Sequence, residues 1–139
     1  MSAAIDWRSD RRRLLIPVLI LAPAPAGDLT SAPAQALVDT GSTISGITPR
    51  IADGLGLVGR GKRPLSSAQG EGQAERYLFR VGLRPLADSS VPSFPYVFDE
   101  VMGFELTNSF QFDALLGMDI LGQCDLELHR DGRCRLAFG

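Results

Sequence analysis

Residues 35–47, QALVDTGSTISGI, decide how this chain is read. Ala36, Leu37 and Val38 run straight into Asp39-Thr40-Gly41-Ser42. A short apolar run that stops at Asp and Gly reads as a strand ending in a tight turn. The strand fixes the direction of the Asp39 carboxylate, and Gly41 lets the backbone fold back close to it. The Gly41 N–H and the Ser42 hydroxyl then come within reach of that carboxylate, and such donors favour its ionised form. Four common residues are a weak signal by themselves, because an Asp/Gly turn that merely caps backbone N–H groups is spelled the same way. Peptide hydrolysis by carboxylates needs two of them side by side, and no second Asp-Thr-Gly occurs in the 139 residues.

Upstream of this motif, Leu14 to Leu21 is apolar and partly β-branched, bounded by arginines and by Ala22-Pro23-Ala24-Pro25, and reads as a buried strand. Arg11-Arg12-Arg13 followed by Leu14 to Ala22 also has the charged and apolar parts of a secretory signal. Asp6, Asp10 and Pro17 argue against that reading, and the run is too short to cross a bilayer. Residues 22–34 are rich in Pro, Ala and Gly and predict a long hairpin loop.

Downstream, Thr48 and Pro49 supply the N-cap and first position of a brief helix ending near Gly54 or Gly56. Residues 62–83 predict a hairpin, with Gln69-Gly70-Glu71-Gly72 at its tip. In its second strand Tyr77, Phe79 and Val81 alternate with Leu78, Arg80 and Gly82, a period of two. Residues 91–101, VPSFPYVFDEV, supply a further strand. Strands dominate, helix is confined to two short pieces, and the whole reads as one domain: a leader arm over 1–13 and a core over 14–139.

The last segment fixes its own register. A three-residue connection, Arg130-Asp131-Gly132 with Gly132 left-handed, pairs Leu128 with Cys134 and Leu126 with Leu136, which puts Cys124, Leu126, Leu128, Cys134, Leu136 and Phe138 on one face. Cys124 and Cys134 are then four cross-strand positions apart, roughly 13 Å at strand rise, too far for a disulfide. Two buried free thiols fit a cytoplasmic protein.

Composition narrows the chemistry. The net charge is −2 and the pI about 5.3, which argues against nucleic acid as the main partner. Arg8, Arg11, Arg12 and Arg13 form the one basic cluster, read as solvated residues leading into a strand. One histidine, His129, and two cysteines are too few for most zinc sites and leave a serine or cysteine hydrolase only His129 as base. No metal or other cofactor is expected.

Context turns the weak motif into a specific one. Residues 113–121, DALLGMDIL, carry Leu115-Leu116-Gly117 ahead of a short helix, with the glycine-containing hairpin between them and Asp39. This order, from about Leu14 to Phe138, resembles the retropepsin-like aspartic proteases. The resemblance implies a mostly β fold, a closed barrel forming half of an acid-protease site, with one or two short helices and a flap hairpin. It implies an aspartic endopeptidase active as a homodimer, one Asp39 from each chain activating a shared water. Thr40 would bond across the dimer axis, Ser42 would donate to the outer oxygen of Asp39, and Leu116-Gly117 would pack beneath the loop. Gln69 to Gly72 would close as the flap over an extended polypeptide, and the final hairpin would help build the interface. Neither nucleic acid nor a membrane is implied as a partner.

Two departures stand out: the loop over 22–34 is long for this family, and Glu71 puts a negative charge on the flap. They keep open a catalytically weak or inactive peptide-binding and dimerisation module, and, further off, an unrelated small barrel with a chance motif. Asp119 invites reading as a second acid within the chain, but a first-turn helix carboxylate is the preferred assignment.

Overall fold

The computed structural model describes residues 3–10, 12–23, 28, 30–67, 70–84, 95–108 and 111–139. Its centre is a ring of strands built from the apolar runs. β2 (Leu15–Leu21) pairs antiparallel with β3 (Ser31–Val38), which pairs in parallel with β8 (Ala114–Leu116). β4 (Gly46–Ile47) lies between β8 and β7 (Tyr96–Glu105), and β7 pairs antiparallel with β6 (Gly70–Leu83). Pairing of β6 with β2 closes these six strands into a barrel, and β5 (Lys62–Ser67) continues the sheet beyond β6. Closure buries Ile16, Ile20, Ala36, Ile47, Phe79, Val81, Leu83 and Leu116 together. The mostly β, closed-barrel expectation therefore holds.

The loop expected over 22–34 is shorter, because β3 begins at Ser31. Ala34, Ala36 and Val38 point inward, and Pro33 sits opposite Leu19 on a stretch where β3 has no second neighbour, so its missing N–H breaks no ladder bond. Arg80 is buried. Its Nε donates to Ala22 O (2.8 Å) and its Nη2 to Asp28 O (2.6 Å), so Ala22 and Asp28, between β2 and β3, lie where the Arg80 side chain points. The ladder is also irregular here. Phe79 faces Val101 and Val81 faces Phe98, so Arg80 stands opposite two residues, Asp99 and Glu100, and Glu100 adopts a φ of 56°.

The first helix, α1 (Pro49–Gly54), starts at Pro49 as its sequence suggests, but the Thr48 side chain makes no capping bond. Its end is a Schellman closure: Gly56, at φ 67°, donates to Asp53 O, and Leu57 donates to Ala52 O. The second helix, α2 (Met118–Leu121), is a single turn.

A three-stranded sheet, ordered β1-β10-β9, covers one side of the barrel. β9 (Asp125–Leu128) and β10 (Arg133–Phe138) pair Leu128 with Cys134 and Leu126 with Leu136. Gly132 is left-handed at φ 96° and His129 N–H donates to Arg133 O, so the three-residue turn and its register stand as read. Cys134, Leu136 and Phe138 are buried, whereas Leu128, placed on the same face, is 58 % exposed at the end of β9. Both cysteines are free; Cys134 is buried, Cys124 is half-buried, and burial pushes the Cys124 thiol up to about 11. The region expected as a leader arm over 1–13 instead contains β1 (Ala3–Arg8), paired with β10 along its length and sending Ile5 into the core.

Tyr77 supplies a pH test of the barrel. Its hydroxyl donates to Glu105 Oε2 at 2.8 Å; burial first, then that bond, pushes the phenol up to about 12 from 10.0. A raised folded pKa means that the unfolded chain loses this proton first as pH rises. The stability from the neutral phenol is therefore complete below pH 10 and is expected to fall between pH 10 and about 12. Urea midpoints measured across that window will show the fall in the native chain, and a shallower one in Tyr77→Phe.

Candidate active site

Asp39 follows β3 directly, and its main-chain N–H donates to Leu116 O (3.0 Å), so the parallel β3–β8 pair holds it on the barrel. Its half-buried carboxylate accepts the Gly41 N–H on Oδ1 at 2.9 Å. A Cβ at Gly41 would lie 3.2 Å from that oxygen. Ser42 N–H turns back to Asp39 O at 3.2 Å and tightens the loop. The Ser42 hydroxyl, expected on Asp39, instead donates to Ile44 O at 2.7 Å, so it braces the loop from within. Thr40 is exposed beside Asp39.

α2 grips the far side of this loop. Met118 N–H donates to Ser42 O (2.7 Å) and Asp119 N–H to Thr43 O (3.2 Å). Gly117 makes the approach possible: a Cβ there would meet the Ile44 carbonyl carbon and oxygen at 2.7 Å and Ser42 O at 2.8 Å. Leu116 and Gly117 therefore do lie against the Asp39 loop.

Sequence reasoning missed the residue that joins the two halves. Ser45, fully buried, donates its N–H (3.0 Å) and hydroxyl (2.7 Å) to the Asp119 carboxylate, and its oxygen accepts the Gly117 N–H (3.0 Å). Asp119 also accepts the Ile120 N–H at 3.0 Å, the first-turn role preferred for it, and its oxygens are engaged with Ser45 rather than Asp39. No local pattern announces this pairing of residues 74 positions apart.

The hairpin expected to carry the flap is β5 with the first part of β6, joined through residues 68 and 69. Gln69 lies outside the described residues. Gly70, Glu71 and Gly72, expected at the tip, belong to β6 instead, opposite Ser67, Ser66 and Leu65. Glu71 and Gly72 are exposed. The base of the hairpin is tied down by Glu75, whose Oε1 accepts the Gly61 N–H at 2.6 Å, and by Arg60 N–H donating to Arg76 O at 2.7 Å.

Among the described residues, no group of three or more His, Cys, Asp or Glu could hold a metal ion, and no helix is long and apolar enough to cross a membrane.

Asp39 thus stands alone at the end of β3, with its loop braced by a glycine-mediated contact with α2. Residues 26–120 match the model of the aspartyl protease family, and the chain belongs to that family. The crystal structure of a retropepsin-like aspartic protease from Rickettsia conorii is similar in fold, with a TM-score of 0.66 at 15% identity, covering 99% of this chain and 93% of that one. No curated protein sequence matches the chain. Family and fold together define a retropepsin-like protein with a peptidase-type architecture.

Proposed function

We propose that this chain is an aspartic endopeptidase that works as a homodimer, with Asp39 of each copy at the centre. The observation that carries the reading is the half-site itself: one carboxylate fixed by β3, β8 and the Gly41 N–H, with Thr40 exposed beside it. A two-fold axis at that point brings two Asp39 side chains together without a second motif in the chain. Two carboxylates so placed hold one proton between them; the ionised one takes a proton from a shared water while the other donates to the carbonyl under attack. That titration belongs to the pair. Thr40 would bond across the axis, and Gly41, Ser42, Leu116 and Gly117 would keep the carboxylate aimed. The β5–β6 hairpin, with Gln69 to Gly72 at and beside its turn, would close over an extended polypeptide by strand-like pairing.

The order β1-β10-β9 leaves β9 as an open edge, joined through Gly122, Gln123 and Cys124 to the helix that grips the Asp39 loop. His129 N–H points to β10, so by antiparallel alternation the N–H of Leu128 faces the free side. Edge-to-edge pairing of β9 with its copy would continue the sheet and bring the two half-sites together.

Titration with a statine-type transition-state mimic tests the reading, since such compounds use both carboxylates. The expected result is inhibition of peptide cleavage at one molecule per two chains, with sedimentation giving a dimer. Binding of peptides by a dimer that cuts none of them would favour the non-catalytic module, and a monomer that neither binds nor cuts would remove both.

A further inference from the structure

Arg12 and Arg13, ahead of β2 and read above as solvated residues, line a groove of about 390 Å³ that the chemistry at Asp39 does not use. Arg12 and Arg13 share this groove with Arg130 of the β9–β10 turn and with Leu14, Leu128, His129 and Cys134. None of the described residues lining it is acidic. None of the ion pairs among the described residues uses Arg12, Arg13 or Arg130. Asp10, the neighbouring carboxylate, accepts the main-chain N–H groups of Arg12 (2.8 Å) and Arg13 (3.0 Å), which shapes the segment.

Backbone bonds hold both walls. Ser9 N–H donates to Gly132 O at 2.9 Å, which ties the arginine segment to the turn. Val38 N–H donates to Leu14 O at 2.8 Å, and Val38 immediately precedes Asp39. One end of the groove is therefore a single hydrogen bond from the strand that carries the candidate catalytic residue.

We propose that this groove selects substrates by holding an acidic stretch of the polypeptide that flanks the bond to be cut, an inference that rests on the peptidase reading above. Guanidinium groups offer planar, paired donors matched to carboxylates. The chain as a whole carries a net charge of −2, so an acidic segment gains only from a local reversal of sign such as this one. The apolar lining residues Leu14 and half-exposed Leu128 suit Asp and Glu interspersed with apolar side chains better than the sugar-phosphate chain of a nucleic acid.

The test uses the full-length dimer and pairs of peptides with one central sequence, flanked by Glu or by isosteric Gln. The expected ratio of kcat/KM is about tenfold in favour of Glu flanks at low salt, carried by KM and shrinking toward one in about 0.5 M salt. Arg12→Gln with Arg130→Gln should bring the ratio near one, and Arg12→Glu with Arg130→Glu should move the preference to Lys-flanked peptides, a gain that misfolding cannot produce. A non-cleavable Glu-flanked peptide, followed by fluorescence anisotropy, separates this inference from its parent. Binding lost in the Gln variant, from a protein that cuts nothing, would sink the activity and keep the groove. A native ratio near one, a preference that survives the Gln pair, or displacement of the peptide by a single-stranded oligonucleotide of equal charge would each overturn the proposal. So would a Gln variant that sediments as a monomer, because the groove would then be an interface between copies.

Discussion

Replacing Asp39 by asparagine is expected to abolish peptide cleavage and leave the fold in place. Asparagine keeps the shape of the side chain, and its oxygen can still accept the Gly41 N–H that Asp39 Oδ1 accepts at 2.9 Å. The strand-end bond from residue 39 N–H to Leu116 O does not involve the side chain at all. Chemistry is another matter: an amide can neither take a proton from water nor hand one to a carbonyl, and in a homodimer the substitution removes both acids at once. The expected fall in kcat is about 10³–10⁴-fold, the scale of a general acid–base contribution. Stability should be unchanged or slightly higher, because two like-charged groups no longer meet at the axis. Peptide-library cleavage between pH 3 and pH 7, with thermal unfolding of both proteins, separates these effects. A native profile with acid and base limbs would report the apparent values of the pair. Equal cleavage by both proteins would show that Asp39 is not the nucleophile-activating group and would undo the proposed function.

Much of this was readable in the chain because local rules and tertiary structure agree. The C-terminal hairpin is the clearest case: period-two burial of Cys134, Leu136 and Phe138 and a glycine at the one left-handed position admit a single register. The same alternation is present in β1, where buried Ile5 and half-buried Trp7 alternate with exposed Asp6 and Arg8, but the basic run after it masks the pattern. Other features misled because a local rule gave way to long-range structure. Alternation sets Arg80 on the face opposite Phe79 and Val81, yet it is buried, because Ala22 and Asp28 from elsewhere in the chain supply two carbonyl acceptors. Glycines at 70 and 72 suggest a turn, but β6 is one strand of 14 residues, and pairing with β5 carries both glycines into the ladder. The Ser45–Asp119 link has no sequence signature, since each residue is ordinary in its own neighbourhood and acquires its role only when α2 docks on the Asp39 loop.

That docking is where one methyl group should do the most damage. Gly117 is not left-handed, so alanine meets no backbone strain there; the obstacle is space. Its Cβ would sit 2.7 Å from both Ile44 C and Ile44 O and 2.8 Å from Ser42 O, all main-chain atoms that cannot swing aside as a side-chain tip can. Something in the contact must separate, and the bonds nearest the collision are Met118 N–H to Ser42 O, Asp119 N–H to Thr43 O and Gly117 N–H to Ser45 Oγ. Gly117→Ala is therefore expected to lower unfolding free energy by about 1–3 kcal/mol, the scale of overpacking a tight contact, read as a lower urea midpoint at unchanged m-value. Because the displaced segment is the loop after Asp39, kcat should fall more than stability alone accounts for, with the loss persisting at temperatures where the variant is fully folded. Gly54→Ala is the matched control: no atom lies within 4 Å of the added methyl, at the end of α1. There the change should be neutral or stabilising by up to about 1 kcal/mol, since alanine restricts the unfolded chain. If both variants unfold at the native midpoint and cut peptides at the native rate, the α2 contact does not aim Asp39, and the brace must come from β3 and β8 alone.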